Sequence, residues 1–168
     1  LGTACTQEHG KLIKRFVENV ILVFDGDAAG NKAAKNAAGI LLESGLNVKV
    51  LSFPEKEDPD SFLRKRGKEA FQALLENPLS IIDFFMLQKG DKRLIAHEAM
   101  ETISKAPDKI LQDTYLKMLS EKLNVEERSV RDEYQRIKKQ LQGGYNKSAP
   151  VAQPKPKAGP KNEVYIIK

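Results

Sequence analysis

The sequence has no tryptophan, one cysteine and two histidines in 168 residues. A single cysteine, Cys5, cannot close a disulfide within the chain and fits a reducing compartment. One cysteine and two histidines are too few for a Cys/His zinc pattern. Long apolar runs are missing as well, and none approaches the roughly 20 residues of a membrane-spanning helix. The first residues, LGTACTQEHG, lack the apolar core of a signal peptide. There is no starting methionine, and the expectation is that the chain begins inside a longer protein.

Charge of one sign is also scarce in the body. Net charge is +5 overall, but residues 143–168 hold five lysines against one acid, leaving +1 for residues 1–142. The basic pI describes a tail, so global charge does not argue for nucleic acid.

What is present is a patterned body. Thr6–Val17 reads as a short amphipathic helix with Leu12, Ile13, Phe16 and Val17 on one side. Val20–Phe24 is a continuous apolar run, as in a parallel strand covered on both faces. Residues 29–44 carry alanines and leucines at helical spacing, stopped by Gly45, and Val48–Phe53 is the next strand. Strand, helix and strand with short links predict a βαβ unit with parallel strands. After Pro54 a loop, PEKEDPD, leads into Ser61–Arg66, closed by Gly67, and then a helix over 68–76. Helices are expected over about 79–88, 92–105, 109–123 and 126–142. Asp108 and Glu126 fall in first turns, where a carboxylate suits the helix dipole. From Gly143 the chain is Gly/Pro/Lys-rich, as in a flexible tether. The terminal NEVYIIK is too short to assign. The predicted organisation is an α/β part over 1–77, a helical subdomain over 78–142 and a linker over 143–168.

The chemistry concentrates at VILVFDGDAAG. Asp25 and Asp27 stand one glycine apart at the end of the first strand, where open parallel sheets bind ligands. Two anions that close repel each other, and a divalent cation offsets the repulsion. The neighbouring parallel strand feeds Glu57-Asp58-Pro59-Asp60 to the same edge, so four or five carboxylates are expected around one pocket. Such oxygen donors suit Mg²⁺ or Mn²⁺, which neutralise charge in phosphoryl transfer. Plainer roles are a helix cap for Asp60 and a turn for Asp58. Lys32 and Lys35, in the first turns of the following helix, are candidates for phosphate contact or a solvated face. Arg64, Lys65 and Arg66 form a basic cluster with the same two readings. His9 and His97 stand alone, and the aromatic stretch Phe84-Phe85 reads as core. An Asp-x-Asp pair after a strand also suits a haloacid-dehalogenase-type phosphatase with Asp25 as nucleophile and Asp27 as acid/base. Ala29 stands where that family usually has Thr or Val, and no downstream Ser/Thr and Lys motifs follow.

DGD-x-AG between an apolar strand and an Ala-rich helix, then a strand, then P-x-x-EDPD-x-F/L-x-R, resembles the Toprim domain of bacterial replicative DNA primases of the DnaG type. LGT-A-T at the start and LNVEERSVRDEYQR near the end resemble flanking parts of those enzymes. The resemblance covers roughly residues 1–142. It implies a partial, Rossmann-like parallel α/β sheet followed by an all-α subdomain and a disordered tail that tethers a helicase-binding domain. It implies a DNA-templated RNA polymerase that makes short RNA primers on single-stranded DNA from ribonucleotides, in the bacterial cytoplasm at the replication fork. Asp25, Asp27, Asp58 and Asp60 fall on the metal-binding DGD and DPD positions. The replicative helicase would be met through a more C-terminal domain. Zinc would sit only in a domain absent from this chain. An upstream glutamate of the Toprim pattern, within an EGYMD-like segment, is not found here, so the chain alone is expected to be inactive in priming. A topoisomerase or nuclease could carry the same domain, and a non-enzymatic docking module of the replication machinery could carry the same helices.

Overall fold

A computed structural model describes residues 5–53, 57–143 and 164–167. Strands β1 (Asn19–Val23) and β2 (Asn47–Leu51) pair in parallel from Asn19↔Asn47 to Val23↔Leu51, joined by helix α2 (Ala28–Glu43). This is the βαβ unit read from the apolar pattern. Residues alternate between two cores, because successive strand side chains point to opposite faces. Val20, Leu22, Val48 and Val50 face α2, which meets them with Ala34, Ala37, Ala38, Leu41 and Leu42. Ile21, Val23 and Leu51 join Phe53 and Phe62 on the opposite face. There the cover is α3 (Pro59–Glu76), whose Phe71 stacks on Phe53 at 6.2 Å. A break at Gly67 (φ 81°) interrupts α3 where the sequence places its stop.

Two further strands complete the sheet in the order β3-β2-β1-β4. β3 (Leu79–Ser80) is antiparallel to β2, and β4 (Val164–Ile167) is parallel to β1. The sequence pattern placed residue 79 in a helix. Instead Ser80 is the cap, its hydroxyl accepting the Asp83 N–H at 3.0 Å, and α4 (Ile81–Met86) begins only after it. An N-cap needs extended backbone, and this short extended piece is what pairs with β2. β4 lies in the seven residues that the sequence pattern leaves undecided. The rest of the predicted tail, 144–163 and 168, lies outside the described residues.

Helix α1 (Gln7–Lys14) departs from the expected apolar stripe. It lies against α2 through buried Gly10, where an added Cβ would meet Ser44 Oγ at 2.2 Å. That close approach selects the glycine face, so Leu12 and Phe16 remain about half exposed. His9 is used locally: its Nδ1 accepts the Thr6 N–H, and its own N–H donates to the Thr6 hydroxyl.

Helices α5 (Lys92–Ser104), α6 (Lys109–Leu123) and α7 (Glu127–Gly143) pack on one another and, through α5, on α2. Their buried residues are continuous with the core beneath the sheet, from Leu22 through Phe85 and Met100 to Leu119 and Tyr134. Phe84, Phe85 and Tyr115 are core, as their spacing suggests. Asp108 is the cap of α6, accepting the Ile110 N–H at 2.9 Å, rather than a first-turn residue. No helix among the described residues is long and apolar enough to cross a membrane.

One buried polar chain locks the bundle. The Tyr134 hydroxyl donates to Gln112 Oε1 at 2.9 Å, and Gln112 Nε2 donates to the Ala106 carbonyl. Burial, with the nearby Asp113 charge, pushes the Tyr134 phenol up to about 12. Tyr134→Phe leaves Gln112 Oε1 buried with its acceptor unmet, which costs about 1–3 kcal/mol. Urea unfolding of the variant should show a lower midpoint at an unchanged slope.

Candidate functional site

Asp25 and Asp27 emerge just beyond the C-terminal end of β1, and Glu57–Asp60 beyond that of the parallel β2. The two loops are stitched by main chain: the Gly26 N–H donates to the Glu57 carbonyl at 3.1 Å. Helix α2 starts immediately afterwards and presses close to the turn. A Cβ on Gly30 would lie 2.2 Å from the Asp25 carbonyl oxygen. Glycine at 30 is therefore what lets the helix N-terminus, with its partial positive charge, sit against the aspartate turn.

The carboxylates have individual duties. Asp27 is the N-cap of α2 and accepts the Gly30 N–H at 2.6 Å. Asp58 is the N-cap of α3: it accepts the Ser61 N–H at 2.8 Å, and the Ser61 hydroxyl answers its own N–H. The cap is thus Asp58 and not Asp60, because Pro59 occupies the first helical position, where a missing N–H costs nothing. Asp60 lies in the first turn and pairs with Arg64 at 3.0 Å. Asp25 is exposed, and its carboxylate has no partner among the described residues.

The basic candidates divide in the same way. Lys32 is exposed and lines a groove that begins at Gly26 and Asp27 and runs along α2 past Asn31 toward α5. Lys35 lines it too, but its ammonium is held by Glu98 of α5 at 2.5 Å and lies 5.3 Å from the Phe85 ring centre. Arg64 answers Asp60, while Arg66 lies over the Phe62 ring and within 3.9 Å of Glu57. His97 pairs with Glu133 at 3.2 Å, away from this edge in sequence and partner.

The structure brings the two acidic loops to one sheet edge but does not deliver four carboxylates as a ready-made cluster. No three His, Cys, Asp or Glu among the described residues are placed to hold a metal ion together. Capping and ion pairing explain this, since Asp27, Asp58 and Asp60 each face their own helix. The donor chemistry still fits a hard divalent cation, being carboxylate oxygen throughout. Glu57 Oε2, buried with no hydrogen-bond partner, marks unsatisfied acceptor capacity at the same loop. Sequence reasoning counts Glu57 in the acidic loop without giving it a role, and assigns no cap to Asp27. Asp27 standing directly before the alanine-rich helical run was the available signal for the cap.

The fold and this edge define a class. Residues 1–63 match the family described as Toprim-like, and residues 88–128 match the DnaB-helicase binding domain of primase. The DNA primase of Clostridium acetobutylicum is 36% identical over 140 residues, which cover 79% of this chain and 24% of that protein. The solved Aquifex aeolicus primase (zinc binding and RNA polymerase domains) superposes with a TM-score of 0.66 at 27% identity, covering 77% of this chain and 32% of that one. A DnaG primase catalytic domain bound to single-stranded DNA gives 0.58 at 32% identity, covering 72% and 43%. Over about three quarters of its length the chain is similar to DNA primases, and its structural neighbours include DnaG-type primase catalytic cores. It spans about a quarter of the length of the Clostridium acetobutylicum enzyme.

Proposed function

We propose that the whole protein is a DNA primase that makes short RNA primers on single-stranded DNA, and that this chain supplies the acidic edge where nucleotide triphosphate is held. The juxtaposition that carries the reading is Asp25-Gly26-Asp27 at the end of β1, joined through Gly26 N–H to the Glu57 carbonyl of the EDPD loop. Asp25 and Asp27 are the primary holders of Mg²⁺ or Mn²⁺, with Asp58 and Asp60 contributing from the second loop. When bound, the cation would screen the triphosphate charge and the charge that develops on the leaving pyrophosphate. The chain's own groups position the reactants. Asp27 fixes the start of α2, and Lys32 presents an ammonium along the groove. Arg64 and Arg66 reach phosphate only by leaving Asp60 and Glu57.

The primase names of the relatives and the primase cores among the structural neighbours favour this reading over a phosphatase, a topoisomerase or a docking module. The helicase-binding match covers α5, α6 and the first residues of α7, and we place a helicase-facing surface there, beside the contact expected from a more C-terminal domain. The setting is the bacterial cytoplasm at the replication fork.

Primer synthesis tests the reading. The whole protein, given single-stranded template, ribonucleotides and Mg²⁺, should make short RNA, and Asp25→Asn should reduce the yield at least about a hundredfold. Normal priming by Asp25→Asn would remove Asp25 from the site.

A further inference from the structure

Among the described residues of the second loop, Glu57 is the one acid without a metal-holding role in the proposed site. It is also the best enclosed, with its side chain 15% exposed. Its main chain is held against the middle of the aspartate pair by the Gly26 N–H, and its carboxylate faces two cations, Lys65 Nζ at 3.4 Å and Arg66 Nε at 3.9 Å. With Arg64 on Asp60, every cation of the cluster 64–66 is held by an acid of the loop 57–60. We infer that Glu57 is a positioning residue for the metal-holding aspartates: by binding Lys65 and Arg66 it keeps their charges off Asp25 and Asp27, leaving those carboxylates open to a divalent cation.

Lys65 and Arg66 compete with a divalent cation for the aspartates. Lys and Arg side chains are long and flexible, and a cation without a partner turns to the nearest anion. Asp25, whose carboxylate has no partner among the described residues, sits one residue from the glycine that anchors Glu57. A lysine or arginine settled there would neutralise the charge that attracts Mg²⁺ or Mn²⁺. The Glu57 contacts are also loose. Oε2 has no hydrogen-bond partner, and Arg66 stands beyond hydrogen-bond range of it. Glutamine at 57 therefore keeps the shape and the main-chain link to Gly26 while removing the charge that retains the two cations.

This inference rests on the metal-holding role proposed for Asp25 and Asp27, and its test separates the two. Mn²⁺ affinity of the whole protein is read from the free-ion signal in electron paramagnetic resonance, so no turnover is needed. Glu57→Gln should weaken Mn²⁺ binding by about tenfold, the scale of one added unit charge near a solvent-exposed site. The triple change Glu57→Gln, Lys65→Gln and Arg66→Gln should return affinity to within about twofold of wild type, a rescue that a structural role or direct ligation by Glu57 does not produce. Unchanged affinity in Glu57→Gln, or a triple variant as weak as the single one, overturns the inference. A protein carrying Asp25→Asn and Asp27→Asn that binds Mn²⁺ as tightly as wild type instead overturns the metal site itself, whatever Glu57 does.

Discussion

In the whole protein, Asp27→Asn should fold like the wild type and yet lose primer synthesis by about 10²–10³-fold. Asp27 has an observed job as a cap and a proposed one as a metal holder, and this substitution separates them. Its carboxylate caps α2 through the Gly30 N–H at 2.6 Å, and asparagine caps a helix about as well as aspartate. What asparagine lacks is the negative charge that would hold a cation in the proposed site and that favours the positive helix end. The dipole part is worth only about 0.3–1 kcal/mol. Asp27→Ala removes both functions and should add a cap loss of about 1 kcal/mol, which lowers the melting temperature by about 2–4 °C in a chain of this size. Priming assays and thermal unfolding on the same two variants read the jobs independently. Equal melting but normal priming in Asp27→Asn would leave Asp27 a cap and nothing more.

Gly30→Ala should be the most damaging single methyl group in the molecule. The new Cβ would stand 2.2 Å from the Asp25 carbonyl oxygen and 3.0 Å from its carbonyl carbon. Both are main-chain atoms of the aspartate turn, so no side-chain rotation relieves the clash. The start of α2 and the turn must part, at an overpacking cost of about 1–3 kcal/mol. A displacement of about 1 Å in the groups that position a reacting phosphate costs about 10²-fold in rate. Gly39→Ala, on the same helix, is the contrast. There the Cβ meets only the tip of Lys105, with Nζ at 2.9 Å, and a lysine end moves aside easily. Alanine is also the better helix former by about 0.5–1 kcal/mol, so Gly39→Ala should be neutral or stabilising. Urea unfolding and primer yield of the two variants should diverge in sign for stability and by orders of magnitude in activity.

The difference between those glycines marks how far the sequence could be read. The βαβ unit was legible because its signals are local: an apolar run, alanines at helical spacing, and a stop at Gly45, which takes a positive φ. The acidic edge was legible because parallel strands deliver their following loops to one side. The duties of the single carboxylates were not. Aspartate is both a good cap and a good ligand, so DGD and DPD carry the two roles in the same letters. Lys35 read as either a phosphate contact or a solvated face because its partner, Glu98, lies 63 residues away, and only the packing of α5 on α2 joins them. The exposed Leu12 and Phe16 misled for a related reason, since a glycine contact decided which face of α1 is covered. β3 was hidden by its length, two residues that pair with β2 before the cap at Ser80 starts the next helix.

The proposed site depends on a divalent cation held by Asp25 and Asp27 at the end of β1. Anomalous diffraction from a crystal of the whole protein soaked in Mn²⁺ tests it directly. The predicted result is a manganese peak within about 2.2 Å of carboxylate oxygens of both aspartates. A peak bound elsewhere, or none at this edge at millimolar Mn²⁺, would contradict it.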